Sequence, residues 1–220
     1  MKKLALLAAV LLCTPHVFAQ LEKGDQIVGG NLGLGFQLQN SGVEYNSVHS
    51  RVDWGSTGAD IGGYYYYALT PHWAVGGNID FGFFDGGDFT IGKHNNITHY
   101  THLYNNMLSA RFTLNPAHAF RFYVPVGAGL TISHQKMDIY YNHTSYHKKH
   151  TGYSFGWFVG LGMEGEIGHN GWTIGTEMRL NGFSYNYGKL VDNAPAQIRA
   201  TERKRHLSYM SFHLTIGKRF

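Results

Sequence analysis

The chain has 220 residues, a formal net charge of +4, 15% charged residues, 15% aromatic residues and 29 glycines. Soluble domains carry roughly 25% charged residues, so a chain this poor in charge suits surroundings other than water. The small positive balance falls to about +2 once Lys2 and Lys3 are set aside, which implies no nucleic-acid partner.

Lys2 and Lys3 precede an apolar run over 4–12, and Val17, Phe18 and Ala19 follow. This order of basic, apolar and small residues predicts a cleaved secretory signal over 1–19 and a single domain over 20–220. The run is too short to cross a bilayer as a helix. Cys13 follows Leu12, where a lipoprotein signal favours a small residue, so no lipid anchor is expected and the mature chain is free of cysteine.

From there the chain alternates with period two, the pattern of strands with unlike faces. Val28, Gly30, Leu32, Leu34, Phe36 and Leu38 make the first apolar stripe, and Ile61, Gly63, Tyr65, Tyr67 and Leu69 the second. Trp73 to Phe83 and Leu108 to Leu114 supply the third and fourth, and Phe120 to Ile132 the fifth. Tyr153 to Ile167, Trp172 to Leu180 and Met210 to Ile216 complete a set of eight strands.

The connections alternate as well. Short turns are expected at TPH (70–72), NPAHA (115–119) and GHNG (168–171), rich in turn formers. The other connections, over 39–52, 85–103, 133–152 and 182–206, are long and polar. One rim is therefore trimmed and the other ornate, the asymmetry of an outer-membrane barrel with short periplasmic turns and four long extracellular loops. The polar faces hold mostly Gly, Ser, Thr and Asn, which suit a narrow lumen better than a water-facing surface. The apolar stripes are therefore assigned to lipid. Aromatic girdles are expected at the short-turn rim (Tyr67, Trp73, Phe120, Trp172, Phe220) and the long-loop rim (Trp54, Phe83, Tyr104, Tyr153, Tyr185).

GGYYYYALTPHWAVGGNIDFGF (62–83), RFYVPVGAGLTIS (121–133) and the terminal SFHLTIGKRF resemble the small bacterial outer-membrane β-barrels of the OmpA/OmpX kind. The resemblance is one of pattern over the mature chain. It implies an all-β, closed, eight-stranded, antiparallel up-and-down transmembrane barrel in a Gram-negative-type outer membrane, with both termini periplasmic. It also implies contact with outer-membrane lipid and lipopolysaccharide, and a C-terminal strand whose Phe220 belongs to the address read by the barrel-assembly machinery. Fold alone does not set a function; the role expected here is non-enzymatic, namely envelope stabilisation and presentation of surface loops for adhesion, binding or defence.

Some residues carry possible chemistry. The inward phase contains Asp60, Asp80, Arg111, Arg121, Glu164, Glu166, Glu177, Arg179 and His213. They are read as a paired network filling the lumen, because an unpaired buried charge is costly. Arg111, Arg121, Glu164 and Glu166 lie close to short turns on consecutive strands and are expected to be neighbours. His206 and Ser208 share a strand face and form the one hydrolase-like pairing, reminiscent of a lipid A deacylase, but no carboxylate follows them. The histidine triads His94, His99, His102 and His143, His147, His150 have spacings that suit Zn²⁺ or Cu²⁺, and adjacent loops would bring them together. No cofactor is expected. The competing functions are a lipid-modifying enzyme and a narrow small-solute channel, and the loops leave room for an extracellular ligand.

Overall fold

The computed structural model describes residues 21–38, 43–45, 57–91, 95–141, 143–168, 170–186, 189, 192, 198–200 and 204–220. The expected signal segment, Trp54 and His94 lie outside the described residues. Alternation becomes strand where expected: β1 (Gln26–Gln37), β2 (Val43–Tyr45), β3 (Thr57–Ala68), β4 (Trp73–Ile91), β5 (Asn95–Thr113), β6 (Phe120–Tyr141), β7 (Thr144–Ile167), β8 (Trp172–Tyr185), β9 (Ile198–Ala200) and β10 (Arg205–Arg219). Eight of them close a barrel in the order β1-β10-β8-β7-β6-β5-β4-β3, with β1 paired back to β3 and every neighbour antiparallel. Closure leaves no open sheet edge, which is what a β-fold must achieve in hydrocarbon.

The faces separate as the period predicts. Leu32, Leu34, Leu108, Leu161 and Leu214 point outward, while Asn31, Asp80, Ser109, Thr173 and Thr215 are buried inside. The short turns are held by their own polar residues. Thr70 Oγ1 accepts from the Trp73 backbone N–H at 3.0 Å. The Asn115 side chain donates to the Phe120 carbonyl and accepts from the Phe122 N–H, both at 2.7 Å, which clamps the turn before β6. Gly171 has φ +73°, and a Cβ there would meet the Arg219 carbonyl oxygen at 2.5 Å, so the turn before β8 needs glycine.

Two expected loops are mostly strand. β4 runs on to Ile91 past a register shift between Asp85 and Asp88, and β5 starts at Asn95. β6 and β7 pair continuously from Tyr141↔Thr144 down to Val126↔Val159. The described residues of 85–103 and 133–152 are thus almost entirely paired strand rather than irregular loop. Their outward residues are polar, which disguised the alternation. Their inward residues Ile97, Thr101, Leu103, Met137 and Ile139 are buried. In the other two long connections, β2 and β9 pair with each other as a small separate ribbon.

The interior is filled in successive tiers. At the short-turn end Leu21 packs with Ile27, Tyr64, Tyr66, Ala68 and Ala74, and the Gly24 N–H donates to the Ala68 carbonyl at 2.8 Å. The middle tier is ionic. Above it, toward the long hairpins, Phe84, Leu103, Phe158, Phe183, Leu207 and Tyr209 are all buried. Phe84 meets Tyr209 edge-on at 5.1 Å. This apolar upper tier departs from the expectation of a uniformly small and polar lumen.

Candidate functional site

The middle tier is built by inward positions of neighbouring strands at similar heights. Arg121 on β6 donates from Nε to Glu164 Oε1 on β7 at 3.0 Å, and its Nη2 lies 3.0 Å from the same oxygen. Arg111 on β5 reaches Glu164 Oε1 with Nη2 at 2.5 Å and stacks over the Tyr123 ring at 3.7 Å. Tyr123 donates its hydroxyl hydrogen to Glu177 Oε2 at 2.9 Å. Glu177 pairs through its other oxygen with Arg179 on the same strand, β8. Arg179 Nη1 then lies 3.0 Å from Asp80 Oδ2 on β4, and Asn31 on β1 donates to Asp80 Oδ1 at 2.9 Å. The chain of contacts crosses the lumen from β6 to β1.

Asp60 and His213 stand beside this chain, with His213 Nε2 3.6 Å from Asp60 Oδ2. Arg111, Arg121 and Arg179 are each 2% exposed. Burial of this depth makes the pairing obligatory, because each guanidinium has exchanged water for carboxylates and ring faces. Glu166 sits apart from Glu164. Its Oε2 faces Arg219 Nη2 at 3.5 Å at the short-turn rim, where Arg219 also approaches Asp25. The ion pair of Glu166 is thus with Arg219 on β10, while its charge still acts on Arg121, as the expected grouping implies. Sequence reading missed Tyr123 and Asn31, which link the ionic residues. Tyr123 lies on the inward phase of β6 and was passed over because it carries no charge at neutral pH.

The hydrolase-like pair lies elsewhere. His206 and Ser208 are on the outward face of β10, away from the lumen. His206 Nδ1 is 3.1 Å from the hydroxyl of Ser184, its cross-strand partner on β8, rather than paired with Ser208. Among the described residues no carboxylate is hydrogen-bonded to that imidazole.

Among the described triad histidines, strand alternation sends His99 and His102 to opposite faces of β5. His99 points inward and is 2% exposed, whereas His102 points outward against Phe83. Burial lowers the His99 pKa to about 4. His147 Nδ1 lies 2.8 Å from Asp138 Oδ1, and His143 occupies the hairpin turn with φ 62°. His150 contributes to a cleft with His102 and His134, and burial followed by the Lys189 charge lowers its pKa. Among the described residues no three His, Cys, Asp or Glu side chains are grouped so as to hold a metal ion.

The outward aromatics mark two belts. Trp73, Phe120, Trp172 and Phe220 ring the short-turn end, with Lys218 Nζ 5.5 Å from the Trp172 ring and 4.9 Å from the Phe220 ring. Phe83, Tyr153 and Phe155 mark the other end of the lipid-facing band. With barrel closure, an apolar exterior and both belts in place, comparison with known proteins becomes decisive. The domain family described as outer membrane protein beta-barrel domain matches residues 4–220. The chain belongs to that family.

It is accordingly a protein of the Gram-negative outer membrane. Among solved structures, the barrel is similar to OprG of Pseudomonas aeruginosa, with 13% identity and a TM-score of 0.53, covering 92% of this chain and 99% of that one. It is also similar to Ail of Yersinia pestis, solved with the heparin analogue sucrose octasulfate, at 12% identity and a TM-score of 0.48, over 90% of this chain and 99% of that one. The protease OmpT of Escherichia coli aligns at 9% identity and a TM-score of 0.40, over 94% of this chain and 99% of that one. These likenesses are of fold. Comparison with curated proteins finds no match.

Proposed function

We propose that the protein is a non-enzymatic barrel that reinforces the outer membrane and presents its projecting hairpins as a binding surface. The observation that carries this reading is the ionic chain from Arg121 to Asn31, which crosses the lumen on buried side chains. With Leu21 packed beneath it and Phe84, Phe183 and Tyr209 packed above, that chain supports a plugged lumen rather than a conducting one. The reach of β4–β7 beyond the aromatic belt supports a role on the outer side. The outward, carboxylate-free setting of His206 and Ser208 supports a structural rather than hydrolytic part for them. Phe220, at the end of β10, is assigned to recognition by the assembly machinery.

Planar-bilayer recording tests the sealed lumen. The expected result is no steady current, and a sustained open conductance would refute the plug. Incubation with acyl-labelled lipopolysaccharide tests the absence of enzymatic activity. Release of fatty acid that disappears in Ser184→Ala, Ser208→Ala or His206→Ala would replace this reading with that of a lipid-modifying enzyme.

A further inference from the structure

On β5, β6 and β7 the outward face changes character abruptly at the upper belt. Tyr104, Ile132 and Tyr153 stand in register across the three strands. Two residues farther, about 7 Å along each strand, the same face carries His102, His134 and Thr151 in register. Two residues farther again come Tyr100, Lys136 and Lys149. A row of two tyrosines and an isoleucine is thus followed by an imidazole and hydroxyl row and then by a row of one tyrosine and two lysines. This is the order met on leaving hydrocarbon for a charged headgroup layer.

His102, His134, Thr151, Lys136 and Lys149 of the upper two rows, with Gln135 and His150 beside them, line one cleft of about 240 Å³. Lys136 and Lys149 are direct cross-strand partners, an arrangement that is repulsive on its own. The nearest acid, Asp138, divides its charge between Lys136 Nζ at 2.6 Å and His147 Nδ1 at 2.8 Å. Burial alone would raise the Asp138 pKa, but the hydrogen bonds from Lys136 and His147 hold it below the usual carboxylate range. Asp85 lies at the far end of the lysine row, across Tyr100. Lys149 has no carboxylate partner among the described residues. The imidazoles are oriented by rings rather than acids: His134 meets Tyr104 edge-on at 5.2 Å and His102 meets Phe83 edge-on at 5.4 Å. His134 Nδ1 and Thr151 Oγ1 are 2.8 Å apart, and Nε2 has no hydrogen bond among the described residues.

We propose that this cleft binds a phosphate group of an outer-leaflet glycolipid, with Lys136 and Lys149 as its charge partners and His102, His134 and Thr151 as further polar contacts. An anion between the two lysines turns their repulsion into shared attraction. The lipid source follows from continuity, because the acyl chains of such a molecule would lie directly below on Ile132, Tyr153 and Phe155. The inference rests on the reading above, in that it gives the projecting hairpins one partner. The two remain separable, because lipid binding can fail while the bilayer recording still finds a sealed lumen.

The test is binding of lipopolysaccharide to the folded barrel in detergent, measured by calorimetry with native and enzymatically dephosphorylated lipid. Wild type should bind the phosphorylated form at least about tenfold more tightly. Lys136→Gln/Lys149→Gln should erase that preference, Lys149→Arg should keep it, and Lys218→Gln at the opposite rim should leave it unchanged. Heat-shifted gel mobility verifies that each variant is folded. A double variant that discriminates as wild type does, or equal binding of dephosphorylated lipid by wild type, overturns the proposal. Inorganic phosphate bound as tightly as the lipid overturns the assignment to a lipid.

Discussion

Replacing Glu164 by alanine removes one carboxylate and strands two cations. Glu164 Oε1 lies 2.5 Å from Arg111 Nη2 and 3.0 Å from Arg121 Nη2, and both arginines are 2% exposed. Breaking a buried pair costs about 3–5 kcal/mol, because the remaining charge has neither water nor a partner. Here one deletion orphans two guanidiniums, so the expected loss lies at the upper end of that range. Arg111 keeps only the Tyr123 ring as a strong neighbour, worth about 2 kcal/mol at best. Glu177→Ala makes an internal comparison. Arg179 would still hold Asp80 at 3.0 Å, so the loss should be smaller, about 2–3 kcal/mol. A triple variant, Arg111→Met/Arg121→Met/Glu164→Leu, removes all the charges together and should be far milder than Glu164→Ala. The assay is equilibrium urea unfolding in lipid vesicles, followed by tryptophan fluorescence. A loss below about 1 kcal/mol for Glu164→Ala, or a triple variant worse than the single one, would refute the buried-charge argument.

Leu34→Arg and Leu161→Arg put a cation on the lipid face and should each cost roughly 2–4 kcal/mol at the bilayer midplane by the same unfolding measurement. Gly33→Leu should fail to reach the compact form on a heat-shifted gel, since even a Cβ there runs into the His213 ring and lies 2.5 Å from the Phe212 carbonyl oxygen. His99 makes the upper hairpins sensitive to acid. Its folded pKa of about 4 lies below the ordinary 6.5, so the unfolded chain takes up a proton that the folded one refuses. The stability it contributes is complete above about pH 6.5 and is lost as pH falls toward 4. Hydrogen exchange of the amides over 95–103 should accelerate across that window in wild type and much less in His99→Leu. An unchanged pH profile in that variant would remove His99 as the cause.

The barrel was legible because its lipid-facing stripes are long and uniformly apolar, so alternation at Leu32 and Leu34 or at Leu161 and Met163 has one reading. The hairpin extensions were not, because their outward face meets water. Thr98, Tyr100 and His102 look like loop composition, and only the inward Ile97, Thr101 and Leu103 reveal the strand. The β2–β9 ribbon pairs segments more than 150 residues apart, and three-residue strands carry no period of their own. The charged lumen residues could be identified by phase, but their partners depend on register, which phase does not set. Glu164 and Glu166 share a face of β7, yet one meets Arg111 and Arg121 while the other meets Arg219. The same rule separates His99 from His102: three positions apart on a strand means opposite faces.

The unequal strand lengths give the molecule a direction within the membrane plane. β1, β3, β8 and β10 have 12 to 15 residues, while β4 to β7 have 19 to 24 and are adjacent around the barrel. The continuous sheet therefore stands taller on one side of the barrel, while the connections of the other side carry the separate β2–β9 ribbon. A body approaching along the cell surface meets a wall of barrel sheet from one bearing and a ribbon outside the barrel from the opposite one. Neighbouring copies free to turn about their axes would present different profiles to each other, so crowding alone can favour some orientations over others.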